Sequence, residues 1–174
     1  MKRIMVLGCS GSGKSTFSRR LHELTKIPVF HLDQLYWKPN WVESTEEEWR
    51  IAQKKAVEQD AWIMDGNYSG TWDIRIPRAD TLIFLDKPTY ISLFRVLKRS
   101  LTQLGKVRDD MPEGCPEKWS WEFYHYVLTF NLTRRKKLLK RIKQHENEKQ
   151  VHIFSKKRDI EAFFTNLTTS KSRV

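Results

Sequence analysis

Residues 8–15 read Gly-Cys-Ser-Gly-Ser-Gly-Lys-Ser, which satisfies the phosphate-binding loop pattern G-x-x-x-x-G-K-[ST]. No other stretch limits the fold as tightly. Such a loop needs a strand to deliver the chain into it and a helix to lead away, and both flanks have that character. Arg3-Ile4-Met5-Val6-Leu7 is a short, mostly apolar run suited to a buried strand. Behind the loop, Phe17, Leu21 and Leu24 recur at helical spacing. The glycines let the backbone wrap an anion with its N–H groups turned inward. The new helix adds the positive end of its dipole. In this reading Gly8, Ser10, Gly11, Ser12, Gly13 and Thr16 form the cradle, Lys14 reaches the β- and γ-phosphates, and Ser15 ligates Mg2+. The ligands implied are ATP and Mg2+.

The rest of the chain continues the alternation. Apolar runs predict strands at 2–7, 28–32, 61–65, 80–86 and 150–154. Helical spacing predicts helices at 14–25, 45–59, 89–104, 118–145 and 157–167. Strands alternating with helices give an α/β fold, a parallel sheet covered on both faces. With 174 residues, one domain spanning 1–174 is expected. Ser44 with Glu47, or Thr45 with Glu48, offers a capping box for the helix near 45. Residues 105–117 are polar and rich in glycine and proline, and read as a mobile loop between two helices. The polar tail from Thr168 to Val174 reads as frayed.

The net charge of +11 favours anionic partners: nucleotides, phosphorylated metabolites or nucleic acid. It does not choose among them, and no nucleic-acid recognition module is visible. No apolar run approaches the roughly 20 residues of a membrane span, and the N-terminus runs straight into an expected strand, so no signal peptide is expected. Cys9 and Cys115 have neither metal nor disulfide spacing, so a reducing, cytoplasmic setting is expected. Cys9, inside the loop, reads as open to alkylating reagents.

Ligands of open parallel sheets bind at the C-terminal ends of the strands, and acidic residues stand there. Asp33 follows the second strand within His31-Leu32-Asp33-Gln34-Leu35-Tyr36-Trp37. It either takes a proton from a substrate hydroxyl, holds a Mg2+-bound water, or caps a turn. His31 is expected as a strand residue rather than a metal ligand. Tyr36, Trp37 and Trp41 either stack on a planar substrate or pack in the core. Asp65 ends the third strand and is the candidate Mg2+-orienting acid, unless Asp-Gly merely turns the chain. Asp86 is its rival, although Pro88 and a helix start give it a capping role. Arg75 or Arg78 is a candidate for an acceptor phosphate.

Arg95 and Arg99 share one helix face just before the 105–117 loop. Arg108 lies within that loop, and Arg134 and Arg135 lie beyond it. Phosphoryl transfer develops charge that arginine forks neutralise, so Lys14, Arg95, Arg99 and Asp33 form the candidate catalytic set. A generic basic surface is the alternative for the arginines, and a solvated face is the reading for Lys136-Lys137 and Lys140-Arg141.

Taken together, these stretches resemble an adenylate-kinase-type P-loop kinase. More narrowly, His31 through Trp37, Asp65-Gly66-Asn67-Tyr68, and Arg108 through Cys115-Pro116-Glu117 resemble the bacterial DNA topology-modulation proteins. The resemblance implies a three-layer fold with a five-stranded parallel core of order 2-3-1-4-5. It also implies an acceptor-binding segment near 33–60 and a lid near 105–121. With it come ATP binding, phosphoryl transfer to a nucleotide or small hydroxylated metabolite, and Arg95 and Arg99 as lid arginines. Asp33, Tyr36, Trp37 and Arg75 are then the acceptor-side candidates, and Ser15 and Asp65 the metal-side ones. The narrower family name adds an alternative, a nucleic-acid-associated ATPase that affects DNA topology. Nucleoside-monophosphate kinases show Asp-Gly-Phe-Pro-Arg where this chain has Asp65-Gly66-Asn67-Tyr68-Ser69. The arginine that would hold a mononucleotide's phosphate is therefore missing at that spot.

Overall fold

A computed structural model describes residues 1–171. All five expected strands form: β1 (Arg3–Gly8), β2 (Val29–His31), β5 (Trp62–Asp65), β6 (Thr81–Leu85) and β7 (Gln150–Phe154). They make one parallel sheet in the order β2-β5-β1-β6-β7. Counting only the strands of this sheet, that is second, third, first, fourth, fifth, the order expected. Two further strands, β3 (Trp37–Lys38) and β4 (Val42–Glu43), pair antiparallel as a small hairpin. Two-residue strands carry no readable period, so the sequence does not announce them.

The helices are α1 (Lys14–Thr25), α2 (Leu32–Tyr36), α3 (Glu46–Val57), α4 (Trp72–Arg75), α5 (Thr89–Thr102), α6 (Trp121–Thr133), α7 (Arg135–Lys143) and α8 (Lys157–Lys171). Of the two possible capping boxes, Thr45 with Glu48 is the one that forms. The Lys38 ammonium, followed by the Thr45 donors, holds the Glu48 carboxyl down to about 2. The long helix expected over 118–145 is two helices. Arg134 sits at the break with φ −105 and ψ −37. Its guanidinium stands over the Tyr126 ring, and Arg135 next to it clamps Asp86 through two bonds of 2.7 and 2.6 Å. The expected frayed tail falls partly on residues 172–174, outside the described residues, while Thr168 to Lys171 continue α8.

The three central strands, β1, β5 and β6, hold the site rigidly because they are buried on both faces. In β1, Ile4, Met5, Val6 and Leu7 are fully buried, and alternate side chains enter different cores. Ile4 and Val6 join Ile63, Ile83 and Leu85 against Phe17 and Leu21 of α1 and Phe164 of α8. Met5 and Leu7 join Met64, Leu82 and Phe84 against Val96 of α5 and Tyr124, Val127 and Phe130 of α6. Each fully buried side chain of this size contributes about 1.5–3 kcal/mol, and the sheet's C-terminal edge inherits that rigidity.

Candidate active site

The phosphate loop leaves β1 at Gly8 and enters α1 at Gly13, whose backbone is left-handed at φ 99. The Lys14 Nζ folds back over the loop and donates to the Cys9 carbonyl at 3.2 Å. Gly11, at φ 78, is a position that must lack a side chain, since a Cβ there would stand 2.4 Å from the Ser92 carbonyl oxygen of α5. That close approach places Arg95 of α5 against the loop, where its Nη1 lies 3.3 Å from the carbonyls of both Gly11 and Ser12. Asn67 reads the first glycine of the loop from the other side. Its amide donates to Gly8 O at 2.8 Å and accepts from Gly8 N at 3.0 Å. Nothing in local spacing announces this brace beyond Asn67's position after Asp65-Gly66.

Two carboxylates stand at the strand ends beside the loop. Asp65 is buried; one oxygen meets His31 Nδ1 at 3.0 Å and the other has no hydrogen-bond partner. Asp33, in the first turn of α2, accepts a 2.6 Å hydrogen bond from the Tyr68 hydroxyl. Burial raises the Asp33 carboxyl above its ordinary range, and the Tyr68 bond and the Lys14 charge offset only part of that rise. Asp86, the rival acid, is taken up by Arg135.

Residues 105–117 form no helix or regular strand, as expected, but they are folded down and pinned. Against the hairpin, Asn40 N donates to Gly114 O at 2.8 Å and Trp41 Nε1 to Pro116 O at 3.1 Å. Gln34 donates to Asp109 O at 2.6 Å. Against the phosphate loop, the Ser15 hydroxyl donates to Asp110 at 2.6 Å. A chain of ion pairs runs from there to α5: Asp110 to Arg108 at 3.1 Å, Arg108 to Glu117 at 3.3 Å, and Glu117 to Arg99 at 3.0 Å. Burial works against the Asp110 charge, yet Arg108, the Ser15 hydroxyl, His31 and Arg99 together hold its carboxyl below the usual range. Asp110 and Glu117 were not among the sequence candidates, because acids in an irregular loop carry no periodic signal.

One cavity brings together Ser10 through Thr16, Asp33, Trp37, Asp65, Arg95, Arg99, Arg108 and Arg134. Arg75 is a correction. It is fully buried, and its guanidinium donates to the carbonyls of Gly66, Asn67 and Tyr68 at 3.3, 2.9 and 2.6 Å, away from the cavity. Its work is to hold the loop that carries Asn67 and Tyr68. Arg78 donates to Val57 O. Tyr36 packs edge-on to Trp37 and Trp49 and is outside the cavity lining, whereas Trp37 and Trp41 line it.

Cys9 is a second correction. It is 3 % exposed, and burial pushes its thiol up to about 11, so thiolate is scarce near neutrality. Cys115 is buried as well. Iodoacetamide at pH 8, followed by intact mass, is expected to leave both thiols of the native protein unmodified and to label both after unfolding. Rapid native labelling of Cys9 would contradict this placement.

A family model for an AAA domain, AAA_18, matches residues 4–100. The chain belongs to the AAA_18 family. The match runs from β1 through most of α5, so the phosphate loop, both strand-end acids, Asn67, Arg95 and Arg99 all lie within the AAA_18 segment, and the pinned loop lies beyond it. None of the curated proteins matches the chain in sequence. Among solved structures it is similar in fold to shikimate kinase from Acinetobacter baumannii in complex with shikimate. That match has a TM-score of 0.58 and 14 % identity, over 99 % of this chain and 94 % of that one. Shikimate kinase from Bacteroides thetaiotaomicron gives 0.52 at 14 % identity, over 98 % of each chain. Deoxyadenosine kinase from M. mycoides, with products bound, gives 0.50 at 14 % identity, also over 98 % of each. At that identity the likeness is one of fold: this AAA_18 protein has the fold of P-loop kinases. Among the described residues no helix is long and apolar enough to cross a membrane.

Proposed function

We propose that the protein is a Mg2+-ATP-dependent phosphotransferase acting on a small hydroxylated acceptor. The observation that carries the reading is Asp33, a half-buried carboxylate that lines the same cavity as the phosphate loop and feels the Lys14 charge. A group so placed accepts the proton of an acceptor hydroxyl as that oxygen attacks phosphorus. Lys14 and the loop N–H groups hold the phosphates, and Arg95 and Arg99 stabilise the charge that develops in transfer. Trp37 and Trp41 flank the acceptor side. The lid excludes water while it is pinned to the hairpin, which limits wasteful hydrolysis. The narrower likeness to the topology-modulation proteins belongs to the same reading, since its stretches fall on α2, on the loop after β5, and on the lid. The buried free cysteines suit a reducing, cytoplasmic setting.

The site suits Mg2+. The Ser15 hydroxyl and the unpartnered Asp65 oxygen offer the hard oxygen donors this ion takes. Among the described residues no three His, Cys, Asp or Glu side chains gather into a protein-only cage. That accords with an ion held largely by water and phosphate. When bound, Mg2+ would neutralise charge on the transferring phosphoryl group. Ser15 would ligate it and Asp65 would orient its waters, and Asp110 must yield or share the Ser15 hydroxyl.

Acceptor-dependent ADP formation, screened over nucleosides, nucleotides and hydroxylated metabolites at physiological salt, tests the reading. A specific stimulating acceptor is expected. Hydrolysis stimulated only by DNA would replace it with a nucleic-acid-associated ATPase. In the same assay Asp65→Asn is expected to raise the Mg2+ needed for half-maximal rate by about tenfold, the worth of one charge-assisted contact. Asp86→Asn should move it little, because that carboxylate already serves Arg135. A larger shift in Asp86→Asn would reverse the assignment.

A further inference from the structure

We propose that the protein pairs with a second copy of itself through the outer face of α5 and α6. The two helices run in opposite directions. Arg99, late in α5, stands over Phe123, early in α6, and Asn131, late in α6, donates to Lys87 O just before α5. Both send their inner sides into one core, Val96 from α5 and Tyr124, Val127 and Phe130 from α6. Their outer sides therefore face the same way. On α5 the outer row is Tyr90, Phe94 and Leu101, which are 72, 67 and 69 % exposed. On α6 it is Trp121, Leu128 and Leu132, at 82, 47 and 80 %. Spacings of four, seven and eleven residues put each row on one helix face.

An ordinary surface helix is polar on its outer side, whereas a helix that is hydrophobic all round is a covered one. In a chain whose residues are 30 % charged, the thirteen residues of α6 include one carboxylate, Glu122, and no lysine or arginine. Charge depletion of that kind marks the centre of an interface. A fully exposed aromatic side chain offers about 150–250 Å². At the exposures above, the six side chains present roughly 800 Å² of apolar surface. That exceeds the few hundred Å² usual for the largest patch of a monomer and equals one partner's share of a standard interface. Arg95, Lys98 and Arg99 of α5 border the patch, but its area, matching one partner's share of a standard interface, favours a second copy over a membrane. A two-fold axis then sets the patch against itself. Because α5 ends where the pinned loop begins and α6 starts where it ends, the pairing would also splint both roots of the lid.

Sedimentation velocity on the full chain at micromolar concentration and physiological salt is the test. The expected mass is twice the 20.8 kDa of one chain. Phe94→Glu with Leu128→Glu should halve that mass while the circular dichroism spectrum stays native. Leu132→Lys alone, at an 80 % exposed site that folding does not need, should weaken the dimer in the same direction. A wild-type monomer throughout the concentration range overturns the proposal. So does a dimer that survives both variants, or a monomer that co-sediments with phosphatidylserine vesicles.

Discussion

Lys14→Ala is expected to yield a folded protein whose ATP-dependent turnover has fallen by a factor of about 10²–10³, the cost of losing one preorganised donor to transition-state charge. The side chain reaches over the loop to Cys9 O and supports no core packing. Its removal should change stability by no more than about 1 kcal/mol, in the range of a single hydrogen bond. Turnover and thermal unfolding measured on one preparation separate the two effects. Wild-type turnover in a folded variant would remove the phosphotransferase reading. An unfolded variant would show that the lysine holds the loop together, and Lys14→Met, which keeps the stem without the charge, would then carry the test.

The second large effect belongs to Asp33. Asp33→Asn preserves an oxygen to accept the Tyr68 hydroxyl and removes the group that takes the proton. A drop of about 10²–10⁴ in kcat is expected, the range of general-base contributions, with a smaller change in ATP affinity. The pH profile gives a further reading. Asp33 works unprotonated, and burial raises its carboxyl. Wild-type kcat/KM should therefore fall, as pH is lowered, at a higher pH than an ordinary carboxylate would give, and this acidic limb should vanish in Asp33→Asn. Tyr68→Phe removes a bond that favours the charged form, so it should move the limb to still higher pH. A profile unchanged in all three proteins would leave Asp33 with only a structural task at the start of α2.

Much of this was legible along the chain because the signals are local. A buried strand such as Ile4 through Leu7, the glycines of the loop and the spacing of Phe17 and Leu21 are properties of neighbouring residues, and the sheet with its strand order emerged as expected. The Thr45–Glu48 box was legible for the same reason. Signals that rest on charge alone were less informative. Arg75, Arg99 and Arg108 look alike as basic residues, yet one is sealed beneath carbonyls, one is paired to Glu117, and one bridges Glu117 and Asp110.

What the sequence by itself determined is the strand–loop–helix unit at Gly8 through Ser15, the alternating α/β order, and the presence of acids at strand ends. Those follow from backbone sterics and hydrophobic periodicity, which act over a few residues. Tertiary structure alone decided which acid is free and which is engaged. One Asp65 oxygen meets His31 and the other has no hydrogen-bond partner, while Asp86 meets Arg135, 49 residues away. It likewise placed Asp110 on Ser15 across 95 residues and Asn67 on Gly8 across 59. Such pairings are set by how β1, β5 and the lid converge in space, and sequence spacing carries no information about that convergence.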